Sequence, residues 1–296
     1  LKNFSTAILT TVFPSVEKYL PYFLTSLTQQ TSQQFDLVVV NDGIANLSIL
    51  EHYFSEKRIQ ILKPGNTFVE NRLVSMSYAQ QEDYENIIFA DADDLLSNNR
   101  VEKNISLLEK YSIVVNDVDL ISEQGSLVEA NYFSQSIDVE KEYSYTFIEN
   151  KNFVGLGNTG LQTKILPSPV QLSSTLKMPD WYFFYTLMRR NQQSVFFTNQ
   201  VKTLYRQHSE NLIGLKEITN KRIELGLQVK LNHYTNLVDE FPDLTQKLQE
   251  IDITINYYHS SKSNQENYIN RVKALNLSFP LWWEEIKTLK ELKIQP

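Results

Sequence analysis

The chain has 296 residues, of which 42% are hydrophobic and 21% charged, a balance that excludes a disordered, collagen-like or repeat-fibre molecule. A formal charge of −7 gives no broad basic footprint, so no nucleic-acid partner is expected. The absence of cysteine removes disulfide frameworks, thiolate metal sites and cysteine nucleophiles together.

Only eight glycines occur, and neither G-x-G-x-x-G nor G-x-x-x-x-G-K-[ST] is present, which argues against Rossmann dehydrogenases and P-loop enzymes. No apolar run approaches the ~20 residues of a bilayer span, and LKNFSTAILTTVF has no signal-peptide pattern. The expectation is a soluble, cytoplasmic protein.

The first third alternates strand and helix signals. Ala7–Phe13 is an apolar, β-branched run. Val16, Tyr19, Leu20, Phe23, Leu24 and Leu27 form a helical stripe, with Pro21 placed to kink it or reset its start. Phe35–Val40 reads as a strand covered on both faces. A helical stretch near Leu47–Phe54, a strand at Arg58–Leu62, a helix at Val69–Gln81 and a strand at Asn86–Ala90 follow. Val101, Ile105 and Leu108 mark a helix leading to a strand at Ser112–Asn116. This alternation predicts βαβ units and a largely parallel sheet.

Residues 120–180 are less regular. Asn158-Thr159-Gly160 looks like a turn, and Pro167, Pro169 and Pro179 punctuate the stretch. Trp181–Arg190 reads as a helix, and Ser194–Thr198 and Lys202–Arg206 as strands. Beyond residue 216 the signal is helical, which divides the chain into a 1–215 α/β domain and a 216–296 helical segment.

Open α/β sheets bind ligands beyond the carboxyl ends of their strands. Here those places hold Thr10-Thr11, Asn41-Asp42-Gly43 and Asp91-Ala92-Asp93-Asp94. A bare Asp-x-Asp arises by chance roughly once in a protein of this size. Its position straight after NIIFA gives it weight, because hard oxygen donors at the sheet edge suit Mg²⁺ or Mn²⁺ on a diphosphate. The bland alternative is a solvated turn capping the next helix, a role open to Asp94 in particular.

Asn41-Asp42-Gly43 is a standard hairpin-turn sequence, but its flanks do not alternate; a carboxylate there could bind a uracil or a ribose. Arg72 lies on a helical stretch where a solvated arginine is the ordinary reading. Asp180 follows Pro179 and opens an aromatic helix, so it is either an N-cap or a general base. A helix N-terminus weakens a carboxylate as a base, whereas desolvation by Trp181 strengthens it. His208 sits in LYRQHSEN just after a strand, beside a cation and an amide, where an imidazole could join a metal or a phosphate.

In order, AILTT, LVVVNDG, the arginine of NRLVSMSYAQ, IIFADADD, GNTG, PDWYFF and LYRQHSEN resemble the family 2 glycosyltransferases of the GT-A fold. The resemblance covers about residues 5–215. It implies a GT-A nucleotide-diphospho-sugar transferase fold with a mostly parallel central sheet and a helical C-terminal appendage. It further implies nucleotide contacts at Thr10, Asp42, Arg72 and Asp91, and metal ligation by Asp91, Asp93 and His208 with Mn²⁺ or Mg²⁺. Asp180 matches the position of the catalytic base of an inverting transfer. The donor expected is a UDP-sugar, and the acceptor a hydroxyl of a glycan or lipid-linked molecule in surface polysaccharide synthesis. There are departures: Asn41-Asp42-Gly43-Ile44 stands for the usual Asp-Asp-Gly-Ser, Asn71-Arg72-Leu73 for Ala-Arg-Asn, and Asn98-Asn99 where a proline is common.

The C-terminal segment lies outside this resemblance. Pro280-Leu281-Trp282-Trp283 opens an amphipathic stretch with Ile286, Leu289 and Leu292 on one side. It packs on the catalytic domain or on a second copy in a homo-oligomer, or it makes shallow peripheral contact with the inner face of a membrane. Two rivals to the enzyme reading stand beside it. One is a non-catalytic nucleotide- or glycan-binding relative, which has little need of a base. The other is a nucleotidyltransferase, whose glycine-rich basic loop after the first strand is missing from TTVFPSVEKY.

Overall fold

The structure is a computed structural model that describes residues 2–208 and 218–295. Ser209, Glu210 and Asn211 of LYRQHSEN, and the boundary at 215/216, lie outside the described residues.

The apolar runs at the start of the chain become β1 (Thr6–Val12), β2 (Asp36–Asn41), β3 (Ile59–Leu62) and β4 (Asn86–Phe89). They pair in parallel in the order β3-β2-β1-β4. Both faces of this half-sheet are covered. Ala7 and Leu9 point into one apolar cluster, and Ile8 and Val12 into another, as strand alternation requires. The stripe read around Pro21 divides into a 3-10 turn over Pro14–Tyr19 and α1 (Leu20–Thr28). Pro21 sits in the first turn of α1, where its missing N–H costs nothing.

The helices α2 (Ser48–Tyr53), α3 (Phe68–Gln81) and α4 (Arg100–Leu108) connect these strands and lead on to the rest of the sheet. Thr67 caps α3, its hydroxyl accepting from the Glu70 N–H at 3.2 Å. The short β5 (Leu95–Leu96) follows the acidic turn, and β6 (Ile113–Ile121) crosses the middle of the molecule. β7 (Leu127–Glu129) pairs with β6. β8 (Lys141–Tyr143) pairs with the strand β10 (Val195–Arg206).

Two sequence expectations change here. Thr159 and Gly160 belong to β9 (Thr159–Gln162), a strand inserted antiparallel between β4 and β6, and not to a turn. A side chain at Gly160 would begin 2.6 Å from Oδ1 of the buried Asn104, so close approach by α4 explains the glycine. The two strands expected at 194–206 are one strand, β10, whose register on β6 slips between Thr198 and Lys202. The sheet therefore runs β3-β2-β1-β4-β9-β6-β10-β5.

After α5 (Pro179–Arg190) and β10 come α6 (Asn220–Leu237), α7 (Thr245–Ser260) and α8 (Lys262–Lys273). Ile223, Leu227, Ile251 and Tyr268 join the same apolar cluster as β4 and β6. The tail beyond α8 is irregular. Leu281, Trp282, Trp283, Ile286, Leu289 and Leu292 are each at most 8% exposed, so these side chains pack inward. Among the described residues no helix is long and apolar enough to cross a membrane.

Candidate active site

The acidic turn leaves β4 at the carboxyl end of the parallel half-sheet and is clamped from beneath. The Asp94 N–H donates to the Asp91 carbonyl at 3.2 Å, closing the turn. The Asp94 side chain is buried and caps no helix: Oδ1 accepts from the Arg206 N–H at 2.8 Å. Burial, then the neighbouring Asp93 and Asp91, push its carboxyl well above the usual range. Arg206 in turn donates through Nε to the Asp93 carbonyl at 2.7 Å, and its guanidinium lies 4.8 Å from the centre of the Tyr19 ring. The end of β10 thus fixes Asp91-Ala92-Asp93 in place.

Above that clamp, Asp93 and His208 meet, Oδ2 to Nε2 at 3.0 Å. Burial and then Asp91 raise the Asp93 carboxyl, with His208 opposing. Arg72, from α3, ion-pairs through Nη2 with Oδ1 of Asp91. Burial works against its charge, but Asp91, Asp180 and Asp93 together outweigh it and hold the guanidinium charged. Its helix neighbour Asn71, fully buried, donates to Asp42 Oδ2 at 2.8 Å and accepts from the Gly65 N–H at 2.8 Å. One amide therefore ties the loops after β2 and β3 to α3.

Asp180 comes from α5. The N-cap of α5 is Met178, without a side-chain bond, so Asp180 is a first-turn residue and the capping role falls away. Its Oδ2 accepts from the Leu156 N–H at 3.0 Å. Burial raises this carboxyl, opposed by the charge of Arg72 and by the Leu156 N–H.

Arg72, Asp91, Asp93, Asp180 and His208 line one cavity of about 340 Å³. Phe13 and Phe68 are exposed along its rim, and Trp282 and Trp283 from the C-terminal tail form part of its wall. Thr10 is not in the lining. Strand alternation turns its side chain into the sheet's opposite face, where its hydroxyl is buried, and Thr11 lines the cavity in its place. Asp42 also lies outside the lining and reaches the site through Asn71. Asn71 and the tryptophan pair carry no charge to mark them for the site in the sequence, and Gly157 entered only as part of GNTG, with no role attached.

The donor chemistry of the cluster suits a hard divalent cation in part. Two ligands held at about 2.1 Å on adjacent corners of an octahedron lie about 3.0 Å apart. The Asp93–His208 separation of 3.0 Å matches this. The three-ligand set expected with Asp91 is not gathered: Asp91 is committed to Arg72, and among the described residues no three acidic or imidazole groups converge on one point.

Comparison with known proteins agrees with this architecture. S. aureus TarS, residues 1–349, superposes with a TM-score of 0.57 at 16% identity, over 90% of this chain and 78% of that one. Its complex with UDP-GlcNAc gives 0.59 at 14% identity, over 91% and 79%. GalNAc-T7 with UDP, GalNAc and Mn²⁺ gives 0.54 at 10% identity, over 98% of this chain and 53% of that one. At these identities the likeness is one of fold, and the fold is GT-A. No curated protein sequence matches the chain. The family model for glycosyl transferase family 2 matches residues 7–165, more than half of the sequence, and the chain belongs to that family.

Proposed function

We propose that this glycosyltransferase works by inversion, moving a sugar from a UDP-sugar to a hydroxyl of a glycan or lipid-linked acceptor in surface polysaccharide synthesis, in the cytoplasm. The observation that carries the reading is that Asp180 lines one cavity together with Arg72, Asp91, Asp93 and His208. Asp180 takes the proton of the acceptor hydroxyl while that oxygen attacks the anomeric carbon. The carbon–oxygen bond to the β-phosphate breaks as the new one forms, and its electron pair leaves on the phosphate oxygen. The buried setting of Asp180 suits a base, because it lifts the carboxyl's proton affinity.

Arg72 supplies positive charge on the donor side, where the diphosphate leaves, and Asp42 and Asp91 flank the nucleoside. Asp93 and His208 would hold Mg²⁺ or Mn²⁺, which stabilises a departing diphosphate as a Lewis acid. Residues 1–215 form the catalytic domain in this reading, and 216–296 complete its wall through Trp282 and Trp283.

Calorimetric titration with UDP, GDP, dTDP and CMP, each with and without Mn²⁺, on wild type and Asp93→Ala tests it. The expected result is UDP binding that Mn²⁺ strengthens by about tenfold or more in wild type and leaves unchanged in Asp93→Ala. Metal-independent binding in both proteins, or none at all, would turn the reading to a non-catalytic relative.

A further inference from the structure

The four residues 155–158 just before β9 include two glycines and are held by hydrogen bonds to neighbouring strands. Asn158 is 2% exposed. Its Oδ1 accepts from the Gly155 N–H at 2.8 Å, and its Nδ2 donates to the carbonyls of Asn116 at 2.9 Å and Phe153 at 3.1 Å. Its own carbonyl accepts from the Asn116 N–H at 2.9 Å. The Gly157 carbonyl accepts from the Thr203 hydroxyl at 3.0 Å. The segment 155–158 is thereby fixed to β6 and β10, and both amide hydrogens of Asn158 are used inside the protein.

This fixed segment touches both halves of the site. At one end the Leu156 N–H reaches Oδ2 of Asp180 at 3.0 Å. At the other end a Cβ on Gly157 would stand 2.5 Å from Oδ2 of Asp91 and 3.5 Å from Oδ2 of Asp94. Only a residue without a side chain lets the backbone pass over the acidic turn at that height. Trp282 closes the third side, its ring 2.9 Å from where a Cβ of Gly155 would be.

We infer that the 155–158 loop is the spacer of the active site: Asn158 is a positioning residue that, through Leu156, holds one oxygen of Asp180 so that the other faces the acceptor, while Gly157 sets the distance from that base to Asp91. The inference rests on the reading of Asp180 as the base. An amide N–H on the carboxylate does two things at once. It fixes the rotamer, and it favours the ionised form that can take a proton. The other charged groups facing Asp180 are Arg72 from α3 and Asp91 after β4, and neither depends on Asn158 for its place.

The test uses the full chain with a UDP-sugar and an accepted acceptor, following kcat, the donor KM and the pH profile of kcat. Asn158→Ala frees the loop; kcat is expected to fall about tenfold to a hundredfold, the range for a reacting group displaced by an ångström. The acid limb of the profile moves to higher pH because the carboxylate loses its N–H, and UDP affinity stays within about twofold. Asn158→Ser, which keeps one donor in the same space, gives the same changes in smaller measure and serves if the alanine variant does not fold. Gly157→Ala acts on the other end: donor KM rises about tenfold with the acid limb unmoved.

An Asn158 variant that folds and keeps wild-type kcat, or one that loses kcat with an unmoved acid limb, overturns the inference. Asp180→Asn, run alongside, separates the two levels. Retained turnover there removes the base and the inference with it, whereas full loss there with an unaffected Asn158 profile removes the inference alone.

Discussion

Gly226 lies inside α6 with the C-terminal tail pressed onto it. A methyl group at this position would stand 2.4 Å from Cγ1 and 2.5 Å from Cδ1 of Ile286, and 3.3 Å from Cε3 of Trp283. Carbon atoms pack at about 3.5–4.0 Å, so the overlap is about 1 Å or more. Ile286 is fully buried and has nowhere to retreat. Two effects oppose each other in Gly226→Ala. Helix propensity favours alanine by about 1 kcal/mol. Overpacking costs about 1–3 kcal/mol, and a clash with Cγ1, close to the main chain, belongs near the top of that range. The net expectation is a loss of about 1–2 kcal/mol.

The sign should reverse once the obstruction is removed. Ile286→Ala alone costs about 2–5 kcal/mol, and in that background Gly226→Ala gains about 1 kcal/mol from propensity while filling part of the space. Urea unfolding of the four proteins then gives a coupling energy of about 2–3 kcal/mol. Trp283 lines the cavity, so transfer activity also falls in the single Gly226→Ala variant. Equal destabilisation in both backgrounds would refute the packing argument, as would any stabilisation of the wild-type background.

Asp180→Asn removes the proton acceptor and keeps the shape, so transfer is lost by about 10²–10⁴-fold while UDP binding by calorimetry stays near normal; equal loss of both would make Asp180 a structural residue. Lys230, buried and donating to the Ile286 carbonyl, is pushed down by burial to about 7 from 10.5. Between those values the unfolded chain binds a proton that the native one does not. Stability should therefore rise with pH across that window, by up to about 1.4 kcal/mol per unit. Lys230→Met flattens that slope in urea unfolding at several pH values, and unchanged slopes in the two proteins would contradict the burial argument.

What the sequence disclosed of the fold follows from where the physics is local. Strands β1, β2 and β4 are buried on both faces and stand as unbroken apolar runs, and the stripe from Val16 to Leu27 is a helical period. Strand β9 has no such signature: Thr159-Gly160-Leu161-Gln162 is a strand because β4 and β6 flank it, and its glycine answers to Asn104, distant in sequence. The tail misleads in another way. Its apolar side suggested one amphipathic face, but Trp283 takes a left-handed φ of 65°, and the chain folds irregularly so that Leu281, Trp282, Trp283, Ile286, Leu289 and Leu292 turn inward.

The site divides along the same line. Asp91, Asp93, Asp180, Arg72 and His208 are polar residues of types that carry site chemistry; each alone had an ordinary reading, and their order along the chain is what marked them. Thr10 lies outside the cavity lining by a single step, because in a strand one residue is the difference between two faces, and a family resemblance over short runs does not fix parity. The groups that arrange the charges are of a different kind. Asn71 and Asn158 are amides that bond only to backbone and to Asp42, and Gly157 contributes a missing atom. Their meaning is a distance between two parts of the chain, and that distance exists only after folding. A site of this type is therefore legible in its reagents before its geometry, and the rate it attains rests on the second as much as on the first.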